Sequence, residues 1–88
     1  MEIDTTQLTE VLSRLRRVQG QVGGVIRMIE AGEDCSRVVT QLAAASKALD
    51  KAGFQIIATG LRQCLTTSEG EAQAVDQAQL EKLFLSLA

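Results

Sequence analysis

A chain of 88 residues has room for one domain, so we expect residues 1–88 to fold as a single unit near the lower size limit for an independent hydrophobic core. Apolar residues make up 45% of the chain but only 2% are aromatic, which favours a core of leucine, valine, isoleucine and alanine in packed helices. Histidine is absent, which removes the commonest metal ligand and the usual general base; with no catalytic triad or acid/base pair either, the sequence argues against an enzyme.

The net charge of −2 conceals an uneven distribution of charged side chains. Residues 14–62 carry eight basic and four acidic side chains, whereas residues 1–13 carry three acids and residues 63–88 carry four acids and one lysine. The middle of the chain is therefore +4 and each end is −3. A basic body of this kind, multiplied by oligomerisation, is suited to a polyanionic partner.

No signal in the sequence indicates export or membrane insertion. The segment MEIDTTQ is acidic and polar where a signal peptide would be basic and then apolar. No apolar run reaches membrane-spanning length, and two cysteines do not make a secreted disulfide framework. We therefore expect a cytoplasmic protein, without a membrane partner, whose thiols are reduced at rest.

The first predicted helix begins near Thr5 or Thr6, which are good N-cap residues, and ends before Gly32. Its apolar residues alternate spacings of three and four, which is the pattern of a helix that packs along one seam. The members of this seam are Leu8, Val11, Leu15, Val18, Val22, Val25 and Ile29, broadened by Leu12 and Ile26. The seam predicts a hairpin with the next helix.

Basic residues and glycines share the polar side of this first helix. The basic residues are Arg14, Arg16, Arg17 and Arg27, and the glycines are Gly20, Gly23 and Gly24. Each glycine weakens a helix by roughly 1 kcal/mol relative to alanine, which predicts close approach of another backbone as compensation. Arginines alone are also typical of a solvated helix face, but the glycines and the further bases Lys47 and Lys51 favour a surface that contacts phosphate.

The stretch from Asp34 to Thr67 predicts a second, uninterrupted helix with Asp34 as its N-cap and a cysteine near each end. Twenty-nine residues separate Cys35 from Cys64, which places the thiols roughly 43 Å apart along one helix. Helical spacing nevertheless puts both on one face. That face consists of Cys35, Val39, Leu42, Ser46, Leu49, Gly53, Ile57, Gly60 and Cys64.

A second copy of this helix would bring the two thiols together. If two copies cross antiparallel near Leu49 and Asp50, Cys35 of one chain falls beside Cys64 of the other, and the contact is two-fold symmetric. The glycines at 53 and 60 are predicted to let the two backbones approach closely. We therefore predict a homodimer with two equivalent thiol pairs.

The position of Cys35 in the first turn of helix 2 is predicted to favour the thiolate form. The positive end of the helix dipole and free backbone N–H groups both stabilise an anion there. The alternative is that both cysteines are small, passive core residues, which is a frequent fate of free cysteine.

A third, short helix is predicted from Asp76 to the end of the chain, after a polar stretch at residues 66–74 that is typical of a linker or frayed end. Its apolar stripe consists of Leu80, Leu83, Phe84 and Leu87. A helix of this length is unstable alone, so we expect it to dock on the hairpin or on a neighbouring protomer.

The run RLRRVQGQVGGVIRMIEAGEDC at residues 14–35, followed by a long helix that ends near Cys64, resembles the copper-sensing repressor (CsoR) family of bacterial transcriptional regulators. The resemblance covers about residues 8–67. It implies an all-α protomer, an antiparallel dimer that forms a four-helix bundle, and a disc-shaped homotetramer. It also implies a repressor, without cofactor or enzymatic activity, that binds operator DNA without a helix-turn-helix and is released by an inducer.

The sensing residues separate branches of this family. Copper sensors carry Cys, His and Cys, and the histidine position, four residues before the second cysteine, is Gly60 here. Nickel or cobalt sensors need further histidines, and formaldehyde sensors have a different residue at the second cysteine position. Two cysteines without histidine resemble the persulfide-sensing branch, the CsoR-like sulfurtransferase repressor (CstR). In this interpretation Cys35 attacks a persulfide or polysulfide, Cys64 of the partner chain resolves it, and a di- to tetrasulfide joins the protomers.

The resemblance implies that Arg14 in helix 1 and Lys51 in helix 2 bind DNA. Arg16, Arg17 and Lys47 are further DNA-binding candidates because of their charge and their positions on the predicted helices. Three other hypotheses remain open. They are a Cu(I) sensor in which Cys35 and Cys64 bind copper linearly, a helical scaffold with passive cysteines, and a catalytic sulfur-transfer protein.

Overall fold

The computed structural model describes residues 3–67 and 69–88, which are helical apart from short connections and contain no strand. A 3-10 turn, Thr5–Leu8, leads into helix α1, Thr9–Glu30. Helix α2 is Cys35–Thr67 and helix α3 is Gly70–Leu87. These bounds confirm the predicted all-α protomer of three helices. Among the described residues, no helix combines the length and the apolar character needed to cross a bilayer.

The chain enters α1 differently from the sequence prediction. Neither predicted N-cap is the cap, because Asp4 caps the 3-10 turn and its carboxylate accepts hydrogen bonds from the N–H and the hydroxyl of Thr6. These hydrogen bonds, that of the Thr6 side chain first, lower the pKa of Asp4. The α-helix proper begins only at Thr9.

The turn between α1 and α2 follows the predicted signals. Gly32 has a φ of +68°, which a residue with a Cβ rarely adopts. Its N–H donates to the carbonyl of Ile29 at 3.0 Å, and the N–H of Glu33 donates to that of Met28 at 3.0 Å. This is the Schellman pattern that satisfies the last carbonyls of a helix. It ends α1 just before Gly32, as predicted.

The hairpin core lies between the N-terminal half of α1 and the middle of α2. Leu8 and Val11 pack with the fully buried Ala52, and Leu15 and Ile56 extend the cluster. Further along the hairpin, Val18, Val25 and Ala45 are also buried. The small alanines of α2 therefore receive the larger side chains of the predicted α1 seam, which lets the two helices approach closely.

Large apolar side chains remain exposed along the rest of the hairpin. On α1 and the N-terminal half of α2, seven of them are between 42% and 62% exposed: Leu12, Val22, Ile26, Ile29, Val39, Leu42 and Leu49. The Cα trace measures 56 × 25 × 13 Å, so the chain is too thin to cover these side chains itself. Soluble monomers rarely expose apolar surface on this scale, which makes this the surface where the predicted second copy would pack.

Helix α3 runs antiparallel along the C-terminal half of α2. The ring centroids of Phe54 and Phe84 lie 5.2 Å apart, and nearer the end of α2 the Sγ of Cys64 lies 3.5 Å from the carbonyl oxygen of Gln73. Leu80, between these two contacts, is buried. Docking on the hairpin is therefore confirmed for α3 within one chain.

The predicted start of α3 at Asp76 is wrong, because the helix begins at Gly70. The residues from 70 onward that were expected to form a linker are helical, while Ser68 lies outside the described residues. Gly70 has a φ of +59°, which lets the chain turn back onto α2. Once α3 is docked, tertiary contacts stabilise a segment whose own composition favours a helix only weakly.

The glycines of α2 have a different use from the predicted one. A Cβ at Gly53 would lie 2.9 Å from Leu87 Cδ1, and one at Gly60 would lie 3.3 Å from Leu80 Cδ2. The space that was expected to admit a second copy of α2 is therefore filled by leucines of α3 in the same chain.

Within residues 3–67 and 69–88, no backbone of another element lies against the glycines of α1, and a Cβ at Gly20 would meet no atom within 4 Å. We therefore expect Gly20→Ala to raise the free energy of unfolding by about 1 kcal/mol, because alanine favours the helix and nothing obstructs it. Urea denaturation checks this. Gly32→Ala is the matched control and should destabilise the protein, since its φ is positive. A destabilising Gly20→Ala would instead reveal a neighbour supplied by another chain.

Candidate sensor thiols and nucleic-acid interface

Cys35 is the first residue of α2, and its side chain is exposed. The amides that follow it are occupied. The Ser36 N–H donates to the Asp34 carboxylate at 3.2 Å, and those of Arg37 and Val38 donate to the Asp34 carbonyl at 3.1 Å. The expectation of free N–H groups beside Cys35 is wrong for these three amides. What distinguishes this thiol is its accessibility at a helix terminus.

Asp34 caps α2, as predicted. The Ser36 hydroxyl also donates to its carboxylate, and the hydrogen bonds from Ser36, that of the side chain first, lower the pKa of Asp34. Glu33 forms an ion pair with Arg37 at 3.1 Å, one turn away. The start of α2 is thus a fixed cap that positions Cys35 at the surface.

Cys64 has the opposite environment, since only 1% of its surface is exposed. Its thiol donates to the carbonyl of Gln73 in α3 at 3.5 Å, and α3 also places Leu80 against Gly60, four residues before Cys64. A reagent can reach this sulfur only if α3 moves. The two thiols therefore differ in access, although they lie on one face of α2.

This face is divided between two uses. Its N-terminal half is open, with Val39, Leu42 and Leu49 exposed, whereas its C-terminal half is covered by α3. The structure does not bring Cys35 and Cys64 together within one chain, consistent with their separation of roughly 43 Å along the helix. A partner's Cys35 would meet α3 before it met Cys64.

Sequence reasoning missed this cover, although a signal for it exists. Two glycines seven residues apart on α2, Gly53 and Gly60, face two leucines seven residues apart on α3, Leu80 and Leu87. Matching spacings of small and large residues on two helices indicate that the helices pack against each other in an antiparallel pair.

A single chain does not present a metal site in the part that the structure describes. No group of three or more histidine, cysteine, aspartate or glutamate side chains is close enough to hold an ion among residues 3–67 and 69–88. The two thiols are soft ligands, and one chain keeps them far apart. A copper site built from both would have to form between chains.

Arg14 is a partly buried member of the predicted DNA surface, with 27% of its side chain exposed. Its Nε donates to Oε1 of Gln55 in α2 at 3.0 Å. One of its terminal nitrogens lies 3.9 Å from a carboxylate oxygen of Glu10. The guanidinium is therefore held between α1 and α2 rather than free in solvent.

The other predicted DNA-binding residues are exposed but do not share one side. Lys47 and Lys51 precede Gln55 at four-residue intervals, so all three lie in one row on α2. Arg14 of α1 lies at the end of this row, because it is hydrogen-bonded to Gln55. Arg17, one turn after Arg14, lies on the same side of α1. Arg16 lies roughly 160° away around α1 and belongs to a different side.

We therefore define the basic side as Arg14, Arg17, Lys47 and Lys51. Gln55, which joins its two helices, was missed by sequence reasoning. It is a polar residue in the otherwise apolar segment GFQIIA, and that contrast was its only signal.

Comparisons with known proteins identify the family of this chain. Residues 7–86 match the family model described as metal-sensitive transcriptional repressor. The copper-sensing transcriptional repressor RicR of Mycobacterium tuberculosis is 39% identical over 84 residues, covering 96% of this chain and 88% of that protein. The copper-sensing transcriptional repressor CsoR of the same species is 31% identical over 72 residues, covering 80% of this chain but only 60% of CsoR.

A shorter match joins this chain to YrkD of Bacillus subtilis, which is 49% identical over 41 residues, or 47% of this chain and 65% of YrkD. No solved structure gives a significant match. The family model spans the hairpin, both cysteines and most of α3, and the family consists of transcriptional repressors rather than enzymes. This chain therefore belongs to the CsoR family of metal-sensitive transcriptional repressors.

Proposed function

We propose that this chain binds operator DNA through its basic side and releases it when Cys35 and Cys64 of two protomers become joined through sulfur. Family membership supports the repressor role. One observation carries the choice of inducer, namely that the chain has two cysteines and no histidine. Sulfur exchange with persulfides and polysulfides takes place at thiols and needs no histidine ligand.

DNA binding is assigned to the basic side, with Arg16 as a separate contact on the other side of α1. Exposed lysine and arginine side chains neutralise phosphates and release counterions, which makes binding strongly dependent on salt. None of these residues needs to enter a groove, so DNA shape would contribute to the choice of operator. A repressor of this kind acts in the cytoplasm.

Assembly is assigned to the exposed apolar side chains of the hairpin. An antiparallel pair of α2 helices would cover Leu42 and Leu49 and would place Cys35 near the C-terminal half of the partner helix. The disc-shaped tetramer is proposed by resemblance to the family. Each copy added brings another basic side to the same DNA.

The proposed reaction takes place in two displacements. The Cys35 thiolate attacks the outer sulfur of a small persulfide, which forms a Cys35 persulfide and releases the donor's thiolate. The Cys64 thiolate of the partner subunit then attacks the Sγ of Cys35, which forms a disulfide and expels hydrosulfide. If Cys35 carries two added sulfurs, attack on the first of them gives a trisulfide with the same leaving group.

The second displacement requires α3 to leave Cys64, because this thiol is buried against the Gln73 carbonyl. A completed bridge would hold α3 away and fix the crossing of two α2 helices. Since Lys47 and Lys51 lie on α2, their spacing in the dimer would change with that crossing. This is how we propose that a covalent event at the thiols reduces DNA affinity.

Copper is the second candidate inducer, because RicR and CsoR are both named as copper-sensing. Two thiolates from different chains suit Cu(I), which accepts linear coordination by soft ligands. This candidate uses the same cysteines and also requires α3 to move. It differs in needing no sulfur transfer and in leaving the thiols unlinked after the metal is removed.

Fluorescence anisotropy with a labelled DNA fragment from the promoter of the chain's own gene separates these candidates. We expect a polysulfide to weaken binding about tenfold or more, dithiothreitol to restore it, and chelator-buffered Cu(I) to have little effect. The control is Cys35→Ser, which should bind DNA and ignore polysulfide. Release by Cu(I) alone would make copper the inducer, and a reduced protein that fails to bind would support the scaffold hypothesis.

A further inference from the structure

The side chain of Arg14 connects the two helices of the hairpin. Its Nε donates to Oε1 of Gln55 at 3.0 Å, although the two residues lie 41 positions apart in the chain. Val11, one turn before Arg14, packs with Ala52, one turn before Gln55. The hydrogen bond therefore lies at the edge of the hairpin core, where both backbones are firmly placed.

This contact leaves Arg14 with a defined set of free donors. A guanidinium carries five N–H groups, and the hydrogen bond to Gln55 uses the one on Nε. In the part of the chain that the structure describes, no hydrogen bond takes up the four N–H groups on the terminal nitrogens, and Glu10 is 3.9 Å from one of these nitrogens. Two parallel N–H groups on a planar fork match two oxygens of a phosphate, and a fixed fork loses less entropy on binding.

Gln55 is also neutral, which suits this task. Its amide oxygen accepts a hydrogen bond without cancelling the charge of Arg14, whereas a carboxylate in its place would form an ion pair and compete with phosphate. Because Gln55 lies on α2 between Lys51 and Cys64, movement of α2 against α1 would alter the hydrogen bond that holds Arg14.

We propose that Gln55 is a positioning residue that presents the Arg14 guanidinium to a DNA phosphate and couples that presentation to the position of α2. The inference rests on the proposed DNA-binding function. It adds a residue to the basic side that carries no charge of its own, and it names one physical connection between the sensor helix and the DNA surface.

A double-mutant cycle on the reduced full chain tests this role. We expect Gln55→Ala to weaken binding to the labelled operator about fivefold, because Arg14 loses its fixed orientation. In an Arg14→Ala background the same change should have almost no further effect. Gln79→Ala, on the exposed surface of α3, is the matched control and should bind as the unmodified chain does.

The variant Gln55→Glu distinguishes positioning of Arg14 from a purely structural role. The glutamate keeps an acceptor beside Arg14, but its negative charge neutralises the guanidinium. We therefore expect Gln55→Glu to bind DNA more weakly than Gln55→Ala. The slope of its salt dependence should be shallower by about one phosphate contact in each DNA-bound protomer. Urea midpoints measured alongside show that the variants are folded.

Two results would overturn the assignment. Effects of Gln55→Ala and Arg14→Ala that simply add would show that the two side chains act independently. A Gln55→Ala variant that binds like the unmodified chain would exclude a positioning role. Both results presuppose that the reduced chain binds operator DNA. If it does not, the proposed function itself fails, and that failure is visible before any variant is made.

Discussion

Cys35 should react with iodoacetamide roughly 100-fold faster than Cys64 in the folded, reduced protein. Cys35 is exposed at the start of α2, whereas Cys64 is 1% exposed beneath α3 and becomes accessible only when that helix opens. The rates are measured by mass spectrometry on Cys35→Ser and Cys64→Ser, each of which keeps one thiol. In urea, where α3 is released, the two rates should converge.

The packing of α3 makes this prediction specific. Leu80→Ala removes a side chain that is only 6% exposed and packs against Gly60, so it should speed alkylation of Cys64 about tenfold. Leu85→Ala changes the same residue type on the same helix, but Leu85 is 71% exposed, so the rate should not change. Equal labelling of both cysteines in the folded protein would contradict the covered position of Cys64.

Arg14→Ala and Lys51→Ala should each weaken operator binding about tenfold at moderate salt. Both residues belong to the basic side, and removing one phosphate-binding side chain should lower the slope of log affinity against log salt by about 0.9 for each DNA-bound protomer. Anisotropy titrations at several salt concentrations measure both quantities. The difference in affinity should shrink as salt rises, since binding of the unmodified chain weakens faster.

Basic residues outside the basic side provide the controls for this prediction. Arg17 shares the side of Arg14, whereas Arg16 lies on another side, so Arg17→Ala should weaken binding more than Arg16→Ala. Lys82→Ala removes an exposed lysine from α3, a helix that contributes no residue to the basic side, and should have little effect. If Lys82→Ala weakened binding as much as Lys51→Ala, net charge rather than a defined surface would explain DNA binding.

The hairpin could be predicted from sequence because its signals are local. Gly32 ends α1 through its positive φ, and Asp34 begins α2 because its carboxylate accepts a hydrogen bond from the N–H of Ser36. Neither depends on distant residues. The apolar spacing of α1 likewise identified Val11, Val18 and Val25 as core residues, whereas Val22 and Ile29 of the same predicted seam are exposed in the single chain.

The start of α3 could not be predicted in the same way. Residues 70–74 are small, polar and acidic, and they become helical because α3 docks on α2 through leucines that fit against Gly53 and Gly60. The same docking buries Cys64, which sequence spacing alone had placed on the face predicted to meet a second copy of α2. Both outcomes depend on the docking of α3, which local sequence does not specify.

Sequence alone named candidate site residues but could not describe their environment. Cys35 and Cys64 were singled out by spacing and by the missing histidine, yet the occupied amides around Cys35 and the cover on Cys64 depend on atoms that spacing does not specify. Gln55 was missed because an uncharged side chain carries no charge-pattern signal. The persulfide mechanism and the dimer stay predictions.

The measurement that tests the central proposal most directly is the identity of the bridge after polysulfide treatment. Chains grown in ¹⁴N and ¹⁵N are mixed, reassembled, treated and digested with trypsin without reduction, which leaves Cys35 in residues 28–37 and Cys64 in residues 63–82. We predict cross-linked pairs of these two peptides in mixed isotopic forms, with masses for two to four bridging sulfurs. Links between two Cys35 peptides only, or unlinked persulfides on a protein that has released its DNA, would contradict the proposal.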